Sequence, residues 1–271
     1  MTVSGPLLLV GCGKMGGAML RGWLQRGMHG SDVTVVEPNA APLADLAAQG
    51  VAVVDDASRL PSGLAPAAIV LAVKPQMTDA VLPAYRRFGR PETVFLSIVA
   101  GRTIGYLERS FGDVAVVRSM PNTPAAVGRG ITVACPNRRV TPAQRAVCDE
   151  LLAAVGEVAW VADEGLLDAV TAVSGGGPAY VFLLIECLAE AGVGAGLPAD
   201  LAMRLARVTV SGAGELARQS TEPASVLRQN VTSPAGTTLE ALKILMAPDG
   251  LQPLFTKAIA AATRRSRELA G

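Results

Sequence analysis

Leu7-Leu8-Leu9-Val10-Gly11-Cys12-Gly13-Lys14-Met15-Gly16 decides how this chain is read. A short apolar run ends directly in G-x-G-x-x-G, and residues 14–26 beyond it have helical character. Gly11 permits the tight turn, Gly13 lets a diphosphate approach the backbone, and Gly16 lets helix and strand pack closely. Cys12, Lys14 and Met15 fill the loop between them. The helix N-terminus adds free N–H groups and partial positive charge. A lone fingerprint is weak, but between a strand and a helix it points to a dinucleotide such as NADH or NADPH. A purely structural tight turn is the alternative.

Outward from this stretch, short Val-, Ile- and Leu-rich runs at 7–10, 33–37, 51–54, 68–73, 93–98 and 114–118 read as buried strands. Helical patterns at 14–26, 41–49, 77–88 and 103–110 lie between them. That alternation predicts an α/β fold, a Rossmann-type doubly wound parallel sheet covered on both faces. Residues 131–161 add two strands around a helix opened by Thr141-Pro142. Beyond residue 163 the strand signals stop, and helices are expected at 164–173, 178–192, 199–217, 237–246 and 251–270. The predicted domains are therefore 1–163, which binds the dinucleotide, and 164–271, all helical, binding substrate and dimerising. An Ala- and Gly-rich helical domain packs closely, and such surfaces often form oligomer interfaces.

Composition narrows the function. The 271 residues are 50% hydrophobic and 17% charged, which excludes bulk disorder. The 24 basic and 23 acidic residues nearly cancel, and no long basic block marks a nucleic-acid surface. Cys12, Cys135, Cys148 and Cys187 form no CxxC pair, and the single His29 excludes an imidazole-built metal site within one chain. No leader is visible. The most apolar stretches stop at Lys74 or contain Glu186, so neither reads as a membrane span. A soluble cytoplasmic protein is expected, with a small-molecule substrate.

Ligands of open α/β sheets sit outside the carboxyl ends of the strands. Glu37 ends the second strand, 26 residues after Gly11, where a carboxylate grips adenosine ribose hydroxyls. An ordinary solvated strand-end charge is the competing reading. Ala72-Val73-Lys74-Pro75 closes the fourth strand, and Ile98-Val99-Ala100 closes the fifth with small residues that leave room for a flat ring. Pro121 and Pro124 hold Asn122 and Thr123 stiffly after the sixth. In the helical half, Ser174-Gly175-Gly176-Gly177-Pro178 breaks one helix and starts another, and Val231-Thr232-Ser233-Pro234-Ala235-Gly236-Thr237-Thr238 precedes a helix. Hydroxyls and backbone N–H groups at a helix start suit a small carboxylate, although N-capping alone also favours Ser and Thr. His29 falls in a loop away from the strand ends, so a reaction needing little acid–base help fits better. Reduction of a protonated C=N bond is such a reaction.

Nearly end to end, the sequence resembles pyrroline-5-carboxylate reductases. The resemblance is carried by the glycine loop, 72–75, 118–124, 174–180, 231–238 and Leu254-Phe255-Thr256-Lys257-Ala258. It implies reduction of L-1-pyrroline-5-carboxylate to L-proline, the last step of proline biosynthesis, with NADPH or NADH. It implies cofactor contacts from residues 11–16, 72–75 and 98–100, from Asn230 near the nicotinamide, and from the 55–56 region near the adenosine. Ser233 and the backbone of Gly236, Thr237 and Thr238 would hold the substrate carboxylate, Glu164 would lie near its ring, and Thr238 would serve the ring nitrogen. It also implies a homodimer, often assembled into a decamer of five dimers, in which a partner chain completes each site. Three departures stand out. Gly176 replaces a usual serine, Ala235 replaces a usual glycine, and Asp55-Asp56 stand where relatives often carry Asn. With Glu37, these acids leave the choice between NADH and NADPH open. A related β-hydroxyacid or imine reductase, and a non-catalytic dinucleotide-binding oligomer, are the alternatives.

Overall fold

The computed structural model describes Val3 and residues 5–270. Its contacts divide into two units. The first runs to Gly175 and takes back the chain from Thr263; the second is Gly176–Ala262.

The first unit is built on eight strands: β1 Leu7–Val10, β2 Val33–Val36, β3 Ala52–Val54, β4 Ala68–Leu71, β5 Val94–Ser97, β6 Ala115–Met120, β7 Gly130–Pro136 and β8 Gly156–Trp160. They form one sheet in the order β3-β2-β1-β4-β5-β6-β7-β8. Strands β1 to β6 are mutually parallel, and β7 with β8 runs antiparallel to β6. The order reverses between β2-β1 and β4, the topological switch of a doubly wound sheet. Alternate residues of β1 feed opposite faces: Leu7 and Leu9 join Met19, Leu20 and Trp23, whereas Leu8 and Val10 join Ile69, Phe95 and Phe111. Both faces are covered, which is why these strands are apolar at nearly every position.

The helices of this unit are α1 Lys14–Gln25, α2 Ala44–Ala47, α3 Thr78–Val81, α4 Ile104–Phe111, α5 Pro142–Ala153 and α6 Leu166–Val170. Helix α5 has the full capping box, with Thr141 Oγ1 accepting from Gln144 N–H and Gln144 Oε1 accepting from Thr141 N–H. The helix expected over 77–88 holds only as α3; Leu82–Phe88 tightens into 3-10 geometry, where Pro83 removes a backbone donor.

In the second unit lie α7 Gly177–Gly194, α8 Ala199–Gln219, α9 Ala224–Asn230 and α10 Thr237–Leu245; α11 Leu251–Ala270 starts here and ends in the first unit. Helix α9 was not expected from sequence: it spans two turns, and Pro223 before it supplies no side-chain cap. The expected helix over 164–173 is α6 followed by a π-helical turn, Thr171–Gly175.

The compact-unit boundary falls at Gly175, later than the predicted domain break at residue 163. Packing is the reason. Leu167 is fully buried against Val133 and Cys135 of β7, with Val170 beside it. The end of α11 is likewise tied to this unit, where Ser266 Oγ donates to Asp168 Oδ1 at 2.7 Å within a buried contact.

Candidate functional site

The strand register brings one set of loops to a common edge. Val10 is level with Val36 and Leu71, Leu71 with Ser97, and Ser97 with Arg118. The residues after these positions are therefore neighbours: Gly11–Gly16, Glu37, Ala72–Pro75 and Ile98–Gly101.

Gly11 has φ +86°, and a β-carbon there would lie 2.8 Å from Ala72 O. At Gly16 it would lie 2.6 Å from Gly11 O, so helix and turn close only around glycine. At Gly13 nothing stands within 4 Å, leaving that backbone open to a ligand. Gly13 is also the N-cap of α1 and gives it no side-chain cap. A bare helix N-terminus beside an open glycine is a cradle for a diphosphate, and these residues fit a dinucleotide. Lys14 and Met15 open α1; Lys14 is exposed, and Met15 is half-buried.

Glu37 is not an idle strand-end charge. Its Oε2 accepts from Cys12 N–H at 2.8 Å, and its Oε1 accepts from Asn39 N–H at 3.1 Å. Burial first, and then the Glu37 charge, push the Cys12 thiol up to about 11, so it stays protonated at neutral pH. Asp56 caps the following 3-10 turn by accepting from Ser58 N–H.

Two strand-end loops are braced from outside. Pro75 O accepts from Thr78 Oγ1 at 2.7 Å and from Arg102 Nη2 at 2.9 Å. Tyr106 Oη donates to Asp79 at 2.6 Å, and the Arg102 guanidinium lies over the Tyr106 ring. Arg102 thus links the loop after β5 to the loop after β4. Ala72, Val73 and Ile98 are half-buried, and Lys74 and Ala100 are exposed. Val99 turns its side chain into the core, which leaves only its backbone for a ligand.

Glu164 is committed within the first unit. Its Oε1 accepts from buried Arg118 at 2.8 Å and from Ile104 N–H at 2.7 Å. Arg118 and Arg102 had no role assigned from sequence. For Arg118 a signal existed: a charge inside an otherwise apolar strand needs a partner. Asn122 Oδ1 accepts from Ile131 N–H, and its Nδ2 donates to Ser174 Oγ. The proline-flanked loop is thereby tied to β7 and to Ser174.

In the second unit, Gly236 N–H donates to Ser233 O at 3.1 Å, closing a four-residue turn. Ala235 has φ +56°, the one non-glycine residue with positive φ among those described. This is the left-handed position that a type II turn after Pro234 requires. A side chain on Gly236 would collide with the Ser233 hydroxyl. Gly236 is the N-cap of α10, and no side chain caps that helix. Thr237 and Thr238 are exposed at its first turn. The hydroxyls are thus not spent on capping, which leaves backbone N–H groups and hydroxyls for a carboxylate. Asn230 ends α9, exposed.

A family model for pyrroline-5-carboxylate reductase dimerisation matches residues 164–269. One for an NADP oxidoreductase, coenzyme F420-dependent, matches residues 7–101. The chain is 38% identical to the pyrroline-5-carboxylate reductase of Pseudomonas aeruginosa, over 97% of its own length and 96% of the relative's. The chain belongs to the pyrroline-5-carboxylate reductase family. The reductase also superposes on a Coxiella burnetii pyrroline-5-carboxylate reductase with TM-score 0.92 at 32% identity, covering 99% of this chain and 100% of that one. A Plasmodium falciparum pyrroline carboxylate reductase, solved with NADP bound, gives 0.82 at 28% identity, with 99% of each covered. The reductase is an NAD(P)-dependent oxidoreductase with a Rossmann-type domain followed by a helical dimerisation domain.

Membership also explains its apolar helices. The stretch Leu166–Gly194 contains an 18-residue window of mean hydropathy 1.5 and is long and apolar enough to cross a membrane. Glu186, which keeps the sequence pattern from reading as a span, lies within it. Helix α7 exposes Val181, Phe182, Leu183, Leu184 and Leu188. Apolar residues all round a helix require cover, and a dimerisation domain receives it from another chain.

Proposed function

We propose that this reductase converts L-1-pyrroline-5-carboxylate to L-proline with the labour divided as follows. Gly11, Cys12, Gly13, Lys14, Met15 and Gly16 hold the dinucleotide diphosphate. Glu37 and Asp56 lie on its adenosine side, and Ala72–Pro75, Ile98–Ala100 and Asn230 serve the remainder. Bound NADH or NADPH supplies a hydride to the imine carbon. Ser233, Gly236, Thr237 and Thr238 bind the substrate carboxylate at the head of α10. Thr238 hydrogen-bonds the ring nitrogen, and Glu164 faces the ring side. A protonated ring nitrogen already makes the imine carbon electrophilic, so the residues mainly orient and exclude water. The working enzyme is a soluble cytoplasmic homodimer, assembled further into a decamer of five dimers.

The observation that carries this reading is the uncapped start of α10, with Ser233, Thr237 and Thr238 gathered at it. A non-catalytic dinucleotide-binding protein has no need of that turn. The test is oxidation of NADH and NADPH with pyrroline-5-carboxylate, side by side. Substrate-dependent oxidation yielding proline is expected. Nucleotide binding without any turnover would refute the assignment.

A further inference from the structure

Acidic residues gather where β2 and β3 end. Val36 is in register with Val54, and Glu37 N–H donates onward to Val54 O at 2.9 Å. Glu37 therefore leaves β2 beside the point where Asp55 and Asp56 leave β3. The Cys12 N–H fixes the Glu37 carboxylate against the glycine loop, and the Asn39 N–H holds its other oxygen. A carboxylate offers about four acceptor positions, so roughly half of them remain for new donors. Cations nearby are engaged: Arg59 pairs with Asp55 at 2.9 Å, Arg21 pairs with Asp45, and Arg87 Nη2 donates to Ala57 O at 2.7 Å. Residues 38–44, Pro-Asn-Ala-Ala-Pro-Leu-Ala, contain no cation. Burial, and then the Glu37 charge beside it, raise the Cys12 thiol.

We infer that this reductase prefers NADH to NADPH and that Glu37 sets the preference. The inference rests on the dinucleotide reading of the glycine loop and deepens it. Adenosine ribose hydroxyls are donors that match the unused acceptor positions of Glu37. A 2′-phosphate offers acceptors only and carries a charge of about −1.5 to −2 at neutral pH. It would meet Glu37, Asp55 and Asp56, where Arg59 and Arg21 already pair with Asp55 and Asp45 and residues 38–44 bring no cation.

The test is calorimetric titration of the intact enzyme with NADH and with NADPH, without substrate, for the native protein and Glu37→Gln. Native enzyme should bind NADH about tenfold or more tightly than NADPH, the scale of one unscreened charge contact. Glutamine keeps an acceptor for the Cys12 N–H but removes the charge, so the ratio should shrink severalfold toward unity. A general loss of loop structure would weaken both nucleotides alike and leave the ratio unchanged. Equal affinities, tighter NADPH, or an unchanged ratio in Glu37→Gln would each overturn the inference while leaving dinucleotide binding intact. Binding of neither nucleotide would overturn the dinucleotide reading and this inference with it.

Discussion

At the residue scale, Thr238 and Ala235 separate chemistry from architecture. Thr238 sits exposed in the first turn of a helix that nothing caps. A threonine hydroxyl is a poor acid at neutral pH, so the service proposed for it at the ring nitrogen is a hydrogen bond that strengthens as the nitrogen becomes an amine. Thr238→Ala should lower kcat about 10- to 100-fold while leaving dinucleotide affinity within about twofold, the pattern of an interaction made in the transition state. Steady-state kinetics with a separate nucleotide titration read this out, and unchanged kcat would remove Thr238 from the mechanism. Ala235 holds φ +56° at a turn position that favours glycine. The penalty on a β-carbon there exceeds the entropy glycine adds to the unfolded chain, so Ala235→Gly should stabilise the protein by about 0.5–1 kcal/mol. A melting temperature equal to or below the native value would contradict this.

Elements matter here through their ends. Helix α1 begins without a side-chain cap beside an open glycine, and α10 begins without one beside a turn rich in hydroxyls. By contrast α5, which has no proposed ligand, is closed by a complete capping box. A capped start such as that of α5 has fewer N–H groups to spare for an anion; an open one leaves them available, as it also does at α7, α8 and α9. The last turns of α11 form a brace. Ser266 donates to buried Asp168 on α6, and Leu269 O lies 3.2 Å from where a side chain on Gly101 would begin. Gly101 directly follows the loop proposed to line the cofactor. Removing the Ser266 hydroxyl leaves a buried carboxylate oxygen short of a donor, so Ser266→Ala should destabilise by about 1–3 kcal/mol. Chemical denaturation followed through tryptophan fluorescence measures this, and an unchanged midpoint would show that the brace adds no stability.

Over the whole molecule, buried thiols shape how stability responds to pH. Cys148 is fully buried on α5. Burial, and then neighbouring Asp149, raise its pKa far above the ordinary value near 9. The native state therefore keeps a proton that the unfolded chain loses as pH passes 9. That contribution to stability is complete below about pH 9 and declines as pH rises beyond it. Native enzyme should lose melting temperature more steeply between pH 8.5 and about 10.5 than Cys148→Ala, which has no thiol to ionise. Parallel slopes in thermal denaturation would refute this. Exposed apolar residues on α7 and α8 belong to the same scale, because the chain alone does not cover them.

Much of the first unit was legible before any coordinates. The limits of β1 and α11 agree with the sequence reading to the residue, and the glycine loop lies between β1 and α1 as expected. Local patterns suffice there: apolar runs buried on both faces have one reading, and a cap such as Thr141 acts within three residues. Helix α9 was not legible, being two turns long and opened by Pro223 without a capping side chain. Nor was the Arg118–Glu164 pair, whose members lie 46 residues apart.

Residue order alone carries the dinucleotide fingerprint, the hydroxyl-rich turn, the family they mark and the succession of elements apart from α9. These are properties of neighbours along the chain, fixed by propensity, period and spacing. Tertiary structure alone decided that Glu37 grips the Cys12 N–H, that Asp56 serves a 3-10 turn, and that 164–175 packs with the first unit. Each depends on which strands lie side by side and in what register, and a carboxylate finds its partners only after the sheet has formed.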